Sequence, residues 1–299
     1  MGKSKRSVVR ALDLLVERGA EVVAVVAAEA DQWAREPQRL DHAARRHRLA
    51  VVPEAELYAA PPGGVDLVVS FLHPHLIREP VLSLGRIGCL NFHPAPLPDF
   101  RGVGGYNVAI LEGLREWGVS CHFVDEHLDT GDLVEVERFP IDPDAHTALS
   151  LDMESGQRLV GLFGRVMDRA LAGEEVPRAP QGEGRYVSRD EFERLRVVQP
   201  GDDLDRKLRA FWYPPYRGAV LEVDGRRLTL IALGPLTNVA LAVEADAAAM
   251  RTALRSMRCS AATPVPPGSP WPARYWRARD LSSPAARRLA AGLGSSQER

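Results

Sequence analysis

A chain of 299 residues, 45% hydrophobic and 26% charged, has room for one large domain or two modest ones and the composition of an ordinary globular protein. Its net charge of −2 gives no overall pull toward nucleic acid or a membrane surface. It contains no apolar run of about 18 residues, and the N-terminal stretch reads without a signal-peptide core. Cys89, Cys121 and Cys259 lie far apart and form no CxxC pair, so they read as reduced thiols in a cytoplasmic protein.

In chain order, Ser7 to Arg18 places Val8, Leu12 and Leu15 on one face and stops before Gly19, which predicts an amphipathic helix. Glu21 to Ala27 reads as a strand buried on both faces. Arg39 to His47 reads as a helix, Leu49 to Val52 as a second strand and Asp66 to Phe71 as a third. Strands alternating with helices predict an α/β fold, a doubly wound and mostly parallel sheet. The segment Phe71-Leu72-His73-Pro74-His75-Leu76-Ile77 raises a metal reading, with His93 as a third ligand. The proline between the histidines and the lack of a nearby carboxylate or cysteine weigh against it, so no metal is expected.

The apolar run Ile87 to Leu90 reads as a buried strand ending in two polar residues. Asn91 and His93, two apart, point to the same face, while Phe92 turns the other way into packing. Pro94, Pro96 and Pro98 then force a stiff, extended loop. A further apolar run, Gly118 to Val124, leads to Leu128-Asp129-Thr130-Gly131-Asp132, which supplies a carboxylate in a glycine-containing turn. Near His93 that carboxylate would orient the ring, raise its basicity and stabilise its cation. Amide, imidazole and carboxylate are the parts needed to pass an acyl group to an amine. His122 reads as a core-edge histidine.

Gly104-Gly105-Tyr106-Asn107 opens a helix, where two glycines could admit a substrate backbone or an anion. Leu133 to Phe139 reads as a strand, and His146 to Ala172 as a long amphipathic helix closed by Gly173. Glu174 to Arg185 is charged and rich in Pro and Gly, a linker. Asp202 to Phe211 predicts a short helix before the aromatic-proline cluster Trp212-Tyr213-Pro214-Pro215-Tyr216. Ala219 to Val223, Asp224-Gly225 and Arg227 to Ile231 predict a hairpin. The chain divides as 1–180, a catalytic domain; 181–235, linker and small C-terminal β region; and 236–299, an Ala/Arg/Pro-rich tail, partly helical or disordered.

Asn91-x-His93, Leu97-Pro98-x-x-Arg101-Gly102 and Leu128-Asp129-x-Gly131 together resemble the folate-dependent formyltransferases. That family includes glycinamide ribonucleotide, methionyl-tRNA and sugar-amine formyltransferases, and the resemblance runs from near the N-terminus to about residue 232. Two departures stand out. Ala95 replaces the serine usual two residues after the histidine. Only Met1 to Arg6 precede the first helix, so the true start is expected upstream or the first strand is lacking. A shorter stretch, Thr229 to Met250 around Leu233-Gly234-Pro235-Leu236-Thr237-Asn238, resembles a segment of nucleoside hydrolases but lacks their Asp-rich metal motif.

The resemblance implies 10-formyltetrahydrofolate as co-substrate and Asn91, His93 and Asp129 as catalytic residues. It lays His73, Pro74, His75 and Leu76 along the pterin, with Val124, Asp125, His127 and Leu128 closing over it. Arg101, Gly102, Gly104, Gly105 and Tyr106 fall to the acceptor side. Glu29 to Arg48 lacks the Gly/Lys-rich loop of the tRNA enzyme, and Arg101 to Tyr106 departs from its usual continuation. The expected acceptor is therefore a small-molecule amine, a nucleotide-linked amino sugar or an amino acid derivative. Methionyl-tRNA is the runner-up, and a formyltetrahydrofolate hydrolase or a non-catalytic folate-binding protein are the other classes. No membrane partner is expected, and a homodimer is left open.

Overall fold

The computed structural model describes residues 1–29, 38–214, 216–223, 226–232 and 239–240. In order these form α1 (Arg6–Glu17), α2 (Leu40–Arg46), α3 (Glu54–Ala59), β1 (Leu67–Phe71), β2 (Gly88–His93), β3 (Phe100–Gly102) and α4 (Gly105–Leu111). There follow β4 (Glu116–Phe123), β5 (Leu133–Pro140), α5 (Ala148–Leu171), β6 (Arg185–Val187), α6 (Arg189–Leu195) and α7 (Leu204–Ala210), then the hairpin β7 (Val220–Val223) and β8 (Arg226–Thr229).

The central sheet runs β1-β2-β4-β5, with β1 and β2 parallel and the other two pairings antiparallel. Beyond β1 it continues in parallel through single bridges, Gly2 to Phe71 and Ala27, and Val25 to Val51. The sheet is therefore mixed, parallel on one side and antiparallel on the other, with helices packed on it as the α/β reading expects. The strands expected at Glu21–Ala27 and Leu49–Val52 are extended segments joined by isolated bridges rather than full ladders. At the position expected for a first strand stands the backbone of Met1 and Gly2. Gly2 N–H donates to Val26 O (3.0 Å), Ala28 N–H to Gly2 O (2.8 Å) and Phe71 N–H to Met1 O (2.9 Å). A Cβ on Gly2 would lie 2.7 Å from Val8 and 2.8 Å from Phe71 O, so only glycine fits between the two strands.

Phe92 turns away from the face of its neighbours Asn91 and His93 into the core. Its ring stacks on Phe71 (5.5 Å between centroids), and Phe163 of α5 meets both rings edge-on. Leu159, Leu162 and Phe163 are fully buried beneath the sheet. α5 starts at a capping box of Thr147 and Ser150 and stops before Gly173 at φ 73°, as its sequence predicts. The proline loop is held from below: buried Ser120 on β4 donates to Ala95 O (2.8 Å) and accepts from Leu97 N–H (2.9 Å).

The linker reading of Glu174 to Arg185 is corrected. Leu133 and Ala179 exchange both backbone hydrogen bonds (2.7 and 2.9 Å), Gln181 donates to Gly131 O, and β6 pairs in parallel with β3. The segment is a strap laid along the sheet edge. The β7–β8 hairpin forms as predicted. Except for residues 239–240, the expectations for 236–299, including most of the nucleoside hydrolase-like stretch, lie outside the described residues. Among the described residues no helix is long and apolar enough to cross a membrane.

Candidate active site

Asn91 and His93 leave the end of β2 on one face, as their spacing requires. Ser70 on the parallel neighbour β1 donates its hydroxyl to Asn91 Oδ1 (2.7 Å), which fixes the amide's orientation. His122 on the antiparallel neighbour β4 donates through Nδ1 to Phe123 O (2.6 Å), because a carbonyl can only accept. Its Nε2 is then left to accept from the Asn91 Nδ2 amide (3.1 Å). One of the two Asn91 N–H groups is so used, and the other remains to donate elsewhere. His122, read from the sequence as a core-edge residue, is a member of this network.

His93 Nε2 donates to Phe100 O (3.0 Å), so in the neutral ring Nδ1 carries the lone pair, 3.5 Å from Asp129 Oδ1. Asp129 Oδ2 accepts from Gly102 N–H (3.0 Å), and its Oδ1 lies 3.7 Å from His122 Nε2. The turn reaches this position by putting Asp129 itself at φ 56°, a left-handed conformation that aspartate tolerates better than most residues. Gly131 is required behind it, since a Cβ there would lie 2.0 Å from Phe123 O.

Burial and the carboxylate act on His93 in opposite senses, the carboxylate in the direction its placement implies. Burial of the ring pushes His93 below its ordinary value, and the Asp129 carboxylate pulling the other way does not overcome it. Burial would raise Asp129, yet its imidazole neighbours His93 and His122 and the Gly102 N–H hold it well below the usual carboxylate range. The pair is thus a neutral imidazole beside an anionic carboxylate.

Five residues assigned by resemblance to the acceptor side, Arg101, Gly102, Gly104, Gly105 and Tyr106, line one cavity of about 80 Å³ with His93. Gly102 and Gly104 have φ of 87° and 72°, and a Cβ on either would strike Val187 O or the Phe192 ring. Arg101 donates to Gln181 Oε1 (3.0 Å) and Gly182 O (2.8 Å) on the strap. Its buried Nε has no partner, and no carboxylate pairs with it among the described residues.

The loop Val124 to Leu128 leaves β4 with Val124 N–H bonded to Cys89 O (2.8 Å). Asp125 folds inward to accept from Thr130 and from His127 N–H, and His127 and Leu128 are exposed. Beside the end of β2, the turn after β1 carries His73, Pro74, His75 and Leu76. The metal reading that joined His73 and His75 to His93 fails, because both rings contact Glu54 of α3 instead. The carboxylate judged absent from the sequence comes from 19 residues upstream, on a six-residue helix that the sequence did not announce.

The Formyl transferase family model matches residues 14–155. A methionyl-tRNA formyltransferase of Halorhodospira halophila is 31% identical over 234 residues, 74% of this chain and 74% of that protein. A GDP-perosamine N-formyltransferase of Brucella melitensis is 32% identical over 164 residues, 54% of this chain and 62% of that protein. The chain spans 54% to 62% of the length of several curated relatives it matches. Among solved structures, the N-formyltransferase of Helicobacter canadensis, in complex with folinic acid and dTDP-3-aminofucose, superposes with a TM-score of 0.63. That likeness covers 77% of this chain and 86% of the other at 19% identity, a likeness of fold.

Proposed function

Because the chain belongs to the formyl transferase family, we propose that it moves a formyl group from 10-formyltetrahydrofolate to the primary amine of a small anionic acceptor such as a nucleotide-linked amino sugar. The observation that carries this reading is the convergence of Asn91, His93 and Asp129 at one end of β2. The folate supplies a formyl group bound to nitrogen. The acceptor's new C–N bond forms as the donor's C–N bond breaks, and the amine proton passes to the nitrogen left behind.

The free N–H of Asn91 donates to the carbonyl oxygen as it gains charge, a role worth about 100- to 1000-fold in rate for one such donor. Ser70 and His122 keep that N–H aimed by holding the other atoms of the amide. His93 Nδ1 is the basic nitrogen, and a proton taken there meets the Asp129 carboxylate 3.5 Å away. Asp129 stays ionised throughout, so it stabilises the imidazolium without competing for the proton. The exposed apolar side chain of Leu128, 42% open, suits a flat ring lying against the donor loop.

A small acceptor is supported by the cavity and by Arg101. About 80 Å³ admits the amine end of a molecule with a carbon or two, and a guanidinium with no carboxylate partner among the described residues suits a phosphate-bearing remainder. The similarity to methionyl-tRNA enzymes keeps tRNA as the second reading. Incubation with 10-formyltetrahydrofolate and a panel of amines, read by mass spectrometry, tests the proposal. A gain of one formyl mass on nucleotide amino sugars is expected. Formylation of methionyl-tRNA alone, with a salt-sensitive gel shift, establishes the second reading. Formate release without any amine establishes a hydrolase.

A further inference from the structure

We propose that Glu54, His73 and His75 bind one divalent transition-metal ion of the zinc class, at a site separate from the Asn91–His93–Asp129 group. The donor set is two imidazoles and a carboxylate, which suits Zn²⁺ and its neighbours in preference to Mg²⁺ or Ca²⁺. His73 and His75 flank Pro74, whose fixed φ holds the turn on which both rings converge toward α3. Their centroids are 5.3 Å apart, edge to face. His73 Nε2 lies 3.3 Å from Glu54 Oε1 and His75 Nδ1 2.6 Å from Glu54 Oε2, and one donor atom from each residue falls within a 4.8 Å span.

Ligand bonds of about 2.0–2.2 Å to zinc place tetrahedral donors roughly 3.3–3.6 Å apart, which the His73–Glu54 contact of 3.3 Å meets and the His75–Glu54 contact of 2.6 Å does not. The adjustment required falls on His75, whose side chain is 58% exposed and free to pivot. The open side leaves room for water as a fourth ligand.

The plainer reading is a carboxylate bridging two histidines by hydrogen bonds. His73 argues against it as the whole account. Its side chain is fully buried, its Nε2 contact with Glu54 is long, and its Nδ1 has no hydrogen-bond partner among the described residues. A metal cation between His73 and Glu54 gives the buried Nε2 a strong bond in place of a 3.3 Å contact and gives the carboxylate a fixed counter-charge.

The test is a titration of the metal-free, full-length protein with Zn²⁺ by calorimetry and with Co²⁺ by visible absorption. We expect saturation at a single ion per chain and cobalt d–d bands without the thiolate charge-transfer band that cysteine ligation gives. His75→Ala and Glu54→Gln should each weaken Zn²⁺ binding more than about 100-fold, beyond what outer-shell changes cost. Far-UV circular dichroism confirms that both variants fold. Absence of saturation in the unaltered protein, a thiolate band, or full affinity retained in both variants overturns the proposal. The readout is metal occupancy, so it stands whether or not formyl transfer is observed.

Discussion

Two neighbouring parallel strands end in the same dipeptide, and the chain makes different things of it. β1 runs out into His73-Pro74 and β2 into His93-Pro94, side by side at one end of the sheet. Each histidine is buried, each is pushed below its ordinary value by that burial, and each meets one carboxylate. Leu72, next to the first histidine, and Asp129, the carboxylate that meets the second, are both left-handed non-glycine residues, at φ 54° and 56°. What differs is how the acid is held. Asp129 is itself buried and pinned by the Gly102 N–H, with His93 Nδ1 too far away for a tight hydrogen bond. Glu54 is partly exposed and shared between two rings. The first arrangement suits a proton that comes and goes, the second a cation that stays. The carboxylate's anchorage, more than the histidine, separates them.

The sharpest way to break this comparison is to remove the β2 pair. His93→Ala and Asp129→Asn should each lower kcat/KM for formyl transfer by about 100- to 10,000-fold, the range of general acid–base contributions, with unchanged circular dichroism. Near-normal turnover in Asp129→Asn would end the proton-site reading. Asn91→Ala removes the proposed oxyanion donor, along with its bonds to Ser70 and His122, and a loss of about 100- to 1000-fold in kcat is expected.

Next in size is the response to pH. His93 sits below 6.5 because burial disfavours its cation, so a rate needing the neutral ring stays level through pH 6.5 and falls only at lower pH. Asp129 acts to raise the ring, so the residual activity of Asp129→Asn should carry its acid limb to still lower pH. The sign for stability follows from the same shift. The contribution of His93 is intact above 6.5 and is lost as pH falls through the ring's folded value, and acid titration of His93→Gln should lack that component. The smallest effect belongs to Ser70→Ala, which frees the Asn91 amide to rotate. The loss of one aiming hydrogen bond predicts roughly 10-fold in kcat with little change in KM, rescued by Ser70→Thr.

The frame of the site was legible because its signals are local. Asn91 and His93 two apart on an apolar strand, the prolines behind them, and an Asp-x-Gly turn each dictate backbone geometry within a few residues. The supporting groups were not legible. Ser70 is one small polar residue in an apolar strand, and His122 looks like core until the register sets it opposite Asn91. Glu54 sits on a helix too short for periodicity to reveal, and only folding brings it to the histidines. The strap at Glu174 to Arg185 has the composition of a loop, and its order comes from pairing with residues far away in sequence. The net direction of the His93 shift also escaped, since burial is a property of the assembled fold.

The Gly102 N–H that anchors Asp129 belongs to the wall of the cavity beside His93. Fit and acidity are therefore mechanically linked: a guest that shoulders this wall outward also slackens the acid and detunes the nearby base. Poorly shaped acceptors would then be penalised in turnover more than in occupancy, a form of selectivity invisible to binding measurements.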